Sequence, residues 1–289
     1  MGPLSRPGGL PVPLKRIPLA PWTSFRTHIF NKHILLNHLR QKSQPGASKI
    51  LDCFLDETMV EEVLSHPFLR LNLFAVRCKP AVAFENSIAL SSGLVASAIG
   101  NLLSRKCLSL FYEQTLFYNQ TPVPLVETNG FQSRAVPLTA GNLKSAILAS
   151  GSIPLVMSGV CDIPGAPPGV YRDGGIVDYH LDLPFAVDDG IVLFPHYTDR
   201  LIPGWFDKKL SWRKPNPQHT DRTILICPSA DFVSRLPFAK IPDRTDFVKM
   251  DQDQRMRSWR HTVNACRELA DDLADVMDNG RLAARLQPL

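Results

Sequence analysis

Apolar residues recur at three- and four-residue steps through residues 251–279, where Met256, Trp259, Val263, Cys266, Leu269, Leu273 and Val276 form one stripe. That period predicts a long amphipathic helix, and Asn279-Gly280 supplies a C-terminal stop. Residues 91–106 carry a second helical pattern, with Leu94, Val95, Ala98, Ile99, Leu102 and Leu103 assigned to one buried side. Residues 27–41 repeat it with apolar positions at 29, 30, 34, 35 and 39. Residues 58–66 predict a short helix stopped by Pro67, and residues 138–150 a helix ending at Gly151. Residues 49–55 form a short apolar element. Strand character appears in residues 71–78 and 109–118, the latter rich in Phe, Tyr, Thr and Leu. The runs 191–194 and 223–227 are continuously apolar and ended by Pro195 and Pro228, a pattern that predicts parallel strands covered on both faces. The alternation of helical and continuous apolar segments points to an α/β protein layered around a mostly parallel sheet.

Proline and glycine set the limits of this region. Prolines 11, 13, 18 and 21, together with Pro7-Gly8-Gly9, exclude regular structure from residues 1–25, which read as an irregular leader. Residues 26–289 then form a single α/β domain. With 44% hydrophobic and 20% charged residues, the 289-residue chain has the composition of a globular protein with a substantial core. Its net charge of +5 suits an anionic lipid surface and is too small to argue for nucleic acid. Six scattered cysteines without a Cys-x-x-Cys pair read as buried, reduced thiols. His28, His33 and His38 recur at five-residue spacing, which does not hold side chains on one helical face, so no metal site is expected. No apolar run reaches membrane-spanning length, and prolines with Lys15 and Arg16 break every candidate secretory segment. The expected location is cytoplasmic, with peripheral attachment to a membrane surface compatible with the charge.

The candidate chemistry lies at Tyr171-Arg172-Asp173-Gly174-Gly175, downstream of the apolar run Ile153-Pro154-Leu155-Val156-Met157. Two glycines after an aspartate permit a sharp turn and leave the carboxylate free to point sideways. The order of helix, Ala-Ser-x-x-Ile-Pro and Asp-Gly-Gly resembles the C-terminal portion of a patatin-like phospholipase domain of the bacterial type, over residues 48–228. The resemblance implies a three-layer α/β/α fold and a cofactor-free, metal-free lipid acyl hydrolase acting on lipid or a membrane-surface substrate. It also implies that Asp173 is the base of a Ser–Asp dyad, with Gly174 and Gly175 forming its turn.

The family's nucleophile, Gly-x-Ser-x-Gly, matches nowhere in the sequence. Ser92 beside Gly93 and Ser152 after Gly151 lack the second glycine in register, and Pro7-Gly8-Gly9 lacks the third glycine and basic residue of an oxyanion loop. In family order the chain therefore reads as beginning after the elbow, without the first strands. Asp178 and His180 are candidates for supporting the Asp173 loop, His180 by packing or hydrogen bonding and not as a triad base. Residues 198–221 read as a polar surface excursion in which Trp205, Phe206, Lys208, Lys209, Trp212, Arg213 and Lys214 mix aromatics with cations, as interfacial loops do. Two alternatives stand beside a hydrolase: an inactive truncated homologue that binds or regulates, and an unrelated α/β domain in which Asp-Gly-Gly is only a turn.

Overall fold

The computed structural model describes residues 44–123, 131–185, 190–243 and 245–287, all within the unit Leu39–Leu289. The leader, the predicted helix at 27–41 and its three histidines lie outside them.

Helix α1 (Gln44–Phe54) is followed by α2 (Glu57–Ser65), whose first turn is capped by Asp56 Oδ1 accepting from Met59 N at 2.8 Å. Strand β1 (Asn72–Cys78) comes next, then a 3₁₀ turn at Pro80–Val82 and helix α3 (Ser87–Leu103), capped by Asn86. A second 3₁₀ segment, Arg105–Leu110, leads into β2 (Tyr112–Tyr118). Strand β3 (Ser133–Pro137), helix α4 (Leu143–Ser150) and the short strands β4 (Val160–Cys161) and β5 (Val170–Asp173) complete the first half. Then come β6 (Val192–Pro195), α5 (Pro217–Thr220), β7 (Thr223–Ile226), α6 (Ala230–Arg235), α7 (Asp246–Lys249), α8 (Gln252–Asp278) and α9 (Leu282–Arg285).

The five-stranded sheet has the order β3-β2-β1-β5-β4. Ala75, Phe117 and Tyr171 on one face pack with Val60 of α2 and with Leu143, Ala146 and Ala149 of α4. On the opposite face Val76, Cys78 and Tyr112 meet Val82, Leu108, Ile176 and Val177 from the intervening turns, with α3 beyond them. Helical elements thus cover both faces of the sheet, as expected for an α/β protein.

Several expectations need correction. The β2–β3 pair is parallel, but β1 runs antiparallel to both β2 and β5, and β4 runs antiparallel to β5, so the large sheet is mixed. Strands β6 and β7 are parallel as predicted, yet they pair only with each other and are incompletely covered, with Leu193 43% exposed. Helix α3 is turned about a third of a revolution from its predicted orientation. It buries Leu90, Gly93, Leu94, Ser97 and Asn101, while Val95, Ile99, Leu102 and Leu103 face outward.

The reason for the rotation lies in the small and polar residues of α3. A Cβ at Gly93 would stand 2.6 Å from the Ala81 carbonyl oxygen, so the helix approaches the Pro80–Val82 turn as closely as only glycine allows. On the same side Ser97 Oγ donates to the Gly93 carbonyl and lies 3.1 Å from the Tyr112 hydroxyl, and Asn101 Nδ2 donates to Asp207 at 2.7 Å. Close approach and hydrogen bonding decide which face is buried, against the larger apolar side chains.

Helix α4 begins five residues later than predicted, because Asn142 organises residues 138–142 as a turn. Its Oδ1 accepts from Thr139 N, and its Nδ2 donates to the carbonyls of Pro137 and Pro164. The six cysteines form no disulfide, but only Cys78 is buried, and Cys53, Cys161 and Cys266 are exposed. Among the described residues no helix is long and apolar enough to cross a membrane, and no cluster of three or more His, Cys, Asp or Glu is arranged to hold a metal ion.

Candidate functional site

Asp173 ends β5, opposite Ala75 of β1 in the middle of the sheet, and begins the 3₁₀ turn Gly174–Ile176. Its amide donates to the carbonyl of Ser152, just past the end of α4, at 3.2 Å. Its Oδ1 accepts from Gly175 N at 2.8 Å, and Oδ2 accepts no hydrogen bond from any described residue. Gly174 is required by contact: a Cβ there would lie 2.5 Å from the Phe74 carbonyl oxygen on β1. A Cβ at Gly175 would lie 3.0 Å from Asp173 Oδ1 itself. The first glycine lets the turn pass against β1, and the second leaves room for the carboxylate.

Burial raises the Asp173 carboxyl above its ordinary range, opposed by the Gly175 N–H and by the Lys208 ammonium. The Lys208 Nζ lies 3.9 Å from the centre of the Tyr179 ring. A partly desolvated carboxylate with one uncommitted oxygen has the electrostatics of a proton acceptor.

Of the two supporting candidates, Asp178 reaches the turn through its backbone, and the His180 side chain bonds to residues 197 and 202. Asp178 N donates to the Gly174 carbonyl, and Asp178 Oδ1 accepts from Asp182 N at 2.8 Å. Burial pushes the Asp178 carboxyl up to about 6, with the Asp182 N–H opposing it. His180 Nδ1 accepts from Ile202 N at 3.0 Å, so its hydrogen is on Nε2, which meets the Tyr197 hydroxyl at 3.0 Å. Burial, reinforced by His196, brings His180 down to about 4. With both nitrogens engaged and the neutral form favoured, His180 holds the loop together. Asp182 in turn receives His219 Nδ1 and Asn216 N, each at 3.0 Å from a carboxylate oxygen.

Ser92 and Ser152 are committed elsewhere. Ser152 is buried and its Oγ donates to the Leu148 carbonyl at 2.7 Å, while Ser92 Oγ donates to the Ile88 carbonyl at 3.1 Å on exposed α3. The residues Pro7-Gly8-Gly9 lie outside the described residues.

Sequence reasoning missed two buried charges that frame the site. Arg172, 1% exposed, points to the other side of β5 from Asp173. Its guanidinium donates to the carbonyls of Met157 and Phe84 and to Glu85 Oε1, which also accepts from Gly159 N. It ties the loop between α4 and β4 to the turn before α3. Burial beside it pushes the Cys78 thiol up to about 12.

The second is Asp207, wholly buried, which accepts from Asn101 and from Arg105 at 2.7 Å each, with Arg213 Nε 3.7 Å away. Arg105 also donates to the Val177 carbonyl, and Arg213 to the carbonyl of Asn101. The segment 198–221 is therefore clamped to α3 and to the Asp173 turn and is not a free excursion. No local pattern betrays these bonds of Asn101 and Arg105, since their partners stand 72–112 residues away. Compared with protein families, curated proteins and solved structures, the chain matches none.

Proposed function

We propose that this chain is a patatin-like lipid acyl-hydrolase domain that carries the base half of a Ser–Asp dyad, with Asp173 as the proton acceptor. The observation that carries the reading is the Asp173 carboxylate itself, fixed at a strand end, raised by burial and with an Oδ2 that accepts from no described residue. In the full reaction Asp173 takes the proton of a serine hydroxyl as its oxygen adds to the ester carbonyl, and the leaving alcohol departs with that proton. The acyl-serine is then attacked by water, whose proton passes to the same carboxylate and on to the serine oxygen as the fatty acid leaves. Ser92 and Ser152 each donate to a carbonyl four residues earlier, so neither is poised to act with Asp173. The commitment of Ser152 to Leu148 favours the companion reading, a homologue that retains lipid recognition as a binding or regulatory protein.

The test is an NMR titration of Asp173 in the full chain, assigned with Asp173→Asn. The midpoint is expected above the ordinary carboxylate range. It should rise further when a non-hydrolysable short-chain ether phospholipid is added below its micelle concentration, because an apolar ligand desolvates the carboxylate. A midpoint in the ordinary range that ignores the ether lipid would reduce Asp-Gly-Gly to a structural turn.

A further inference from the structure

The outward face of α3 has no counterpart in the hydrolase reading. Ile88, Val95, Ile99, Leu102 and Leu103 occupy one face of a helix without a single charged residue, and they are 79%, 59%, 58%, 56% and 80% exposed. From Ile88 to Leu103 the stripe runs about 22 Å along the surface. Ser91 and Ser92 separate Ile88 from the other four, which crowd the C-terminal half of the helix; scattered exposed apolar residues are ordinary, whereas such a cluster marks a contact surface.

An independent feature extends it. The Arg213 guanidinium donates to the carbonyl of Asn101 at the end of α3, and this anchors the neighbouring Trp212, itself 65% exposed, to that end of the helix. Lys106 and Lys214 are exposed beside Arg105 and Arg213, and no carboxylate occurs in sequence between Glu85 and Glu113 or from Lys208 to Lys214. Asp207, which reaches this region, is buried and neutralised by the two arginines.

We propose that α3 and the Trp212 loop form a docking surface for an anionic lipid bilayer. A plane of headgroups satisfies what the surface offers: aliphatic side chains and an indole to enter the interface, and flanking ammonium groups to meet lipid phosphates and carboxylates. A second copy of the chain fits less well. An isologous contact across this face would set its acid-free, cationic rims against each other. The surface stands whether or not Asp173 has a catalytic role. It would bring bilayer lipid to the flank of that site, because the segment that carries Trp212 to α3 also carries Lys208 to Tyr179 and Asp173.

The experiment is co-sedimentation of the full chain with phosphatidylcholine vesicles, with and without 30% phosphatidylserine (about one lipid in three, enough for a negative surface potential), at two salt concentrations. Binding is expected to the anionic vesicles and to weaken with salt. Leu103→Glu should lower partitioning at least about tenfold, and Lys106→Ala about fivefold. Both positions are exposed, so an unchanged thermal melt confirms that the variants fold. Sedimentation velocity of the same proteins without lipid provides the other arm. Absence of binding to anionic vesicles, or binding insensitive to Leu103→Glu, overturns the proposal. Self-association abolished by Leu103→Glu, without vesicle binding, would assign the face to a second copy instead.

Discussion

Gly174→Ala tests how the candidate site is supported. The added methyl would lie 2.5 Å from the Phe74 carbonyl oxygen, 2.6 Å from its carbon and 2.7 Å from its Cβ. Ordinary contact begins at 3.4 Å, so β5 and β1 must part by about 0.9 Å. The displaced atoms are strand backbone, held by β2 on the other side of β1 and paired with β5 from Ala75↔Asp173 to Cys78↔Val170. They cannot swing aside as a side-chain tip would. Overpacking of this kind costs about 1–3 kcal/mol, and the backbone location argues for the upper half, about 2–3 kcal/mol. For a domain of this size that corresponds to a fall in Tm of about 4–12 °C. Thermal unfolding followed by circular dichroism reads it directly. Gly141→Ala is the control, because its Cβ meets nothing closer than Thr139 Oγ1 at 3.8 Å, and its melt should be unchanged. If Gly174→Ala melts with the wild type, β5 does not lie against β1 as described and the position assigned to Asp173 is wrong.

Three further outcomes follow from the same region. The folded Asp178 carboxyl, raised to about 6, holds its proton more tightly than the unfolded one at 3.8, so its contribution to stability is lost as pH rises between those values; Asp178→Asn should therefore gain on the wild type in Tm between pH 4 and pH 7, and a constant difference would refute this. His180 behaves oppositely: brought down from 6.5 to about 4, it favours the folded state at neutral pH and loses that contribution as pH falls through this window, so His180→Gln should flatten the acid limb of the stability profile in urea titrations. Asp207→Ala leaves Arg105, Arg213 and Asn101 facing an empty site, and the loss of one member of a buried charge cluster costs about 3–5 kcal/mol; a change below about 1 kcal/mol in equilibrium unfolding would mean that the cluster does not hold the 198–221 segment.

What could be read from the sequence is what local chemistry decides. Helix α8 starts at Asp251, whose carboxylate accepts from Gln254 N at 2.8 Å, and stops before Gly280 at φ +64, within a residue of its periodicity. Strand β1 and the parallel β6–β7 pair were equally visible as apolar runs. Asp173 stood out because a helix, Ile-Pro and Asp-Gly-Gly follow one another in the sequence, and the structure gives each glycine a separate contact reason. The face of α3 was misread because counting apolar residues ignores what Gly93, Ser97 and Asn101 gain from a close approach and from distant partners. Strand direction failed likewise: β4 has two residues and β5 four, too few to show a period, and their antiparallel pairing is set across the sheet. The Arg172 and Asp207 clusters join segments far apart in sequence, which no window along the chain can reveal.

The most direct measurement on the central claim is labelling of the folded full chain with a fluorophosphonate, with peptide mapping of any adduct and Asp173→Asn alongside. No serine adduct that depends on Asp173 is expected, because the sequence holds the base without a Gly-x-Ser-x-Gly nucleophile. A serine adduct present in the wild type and lost in Asp173→Asn would contradict it, and would make the chain a complete hydrolase by itself.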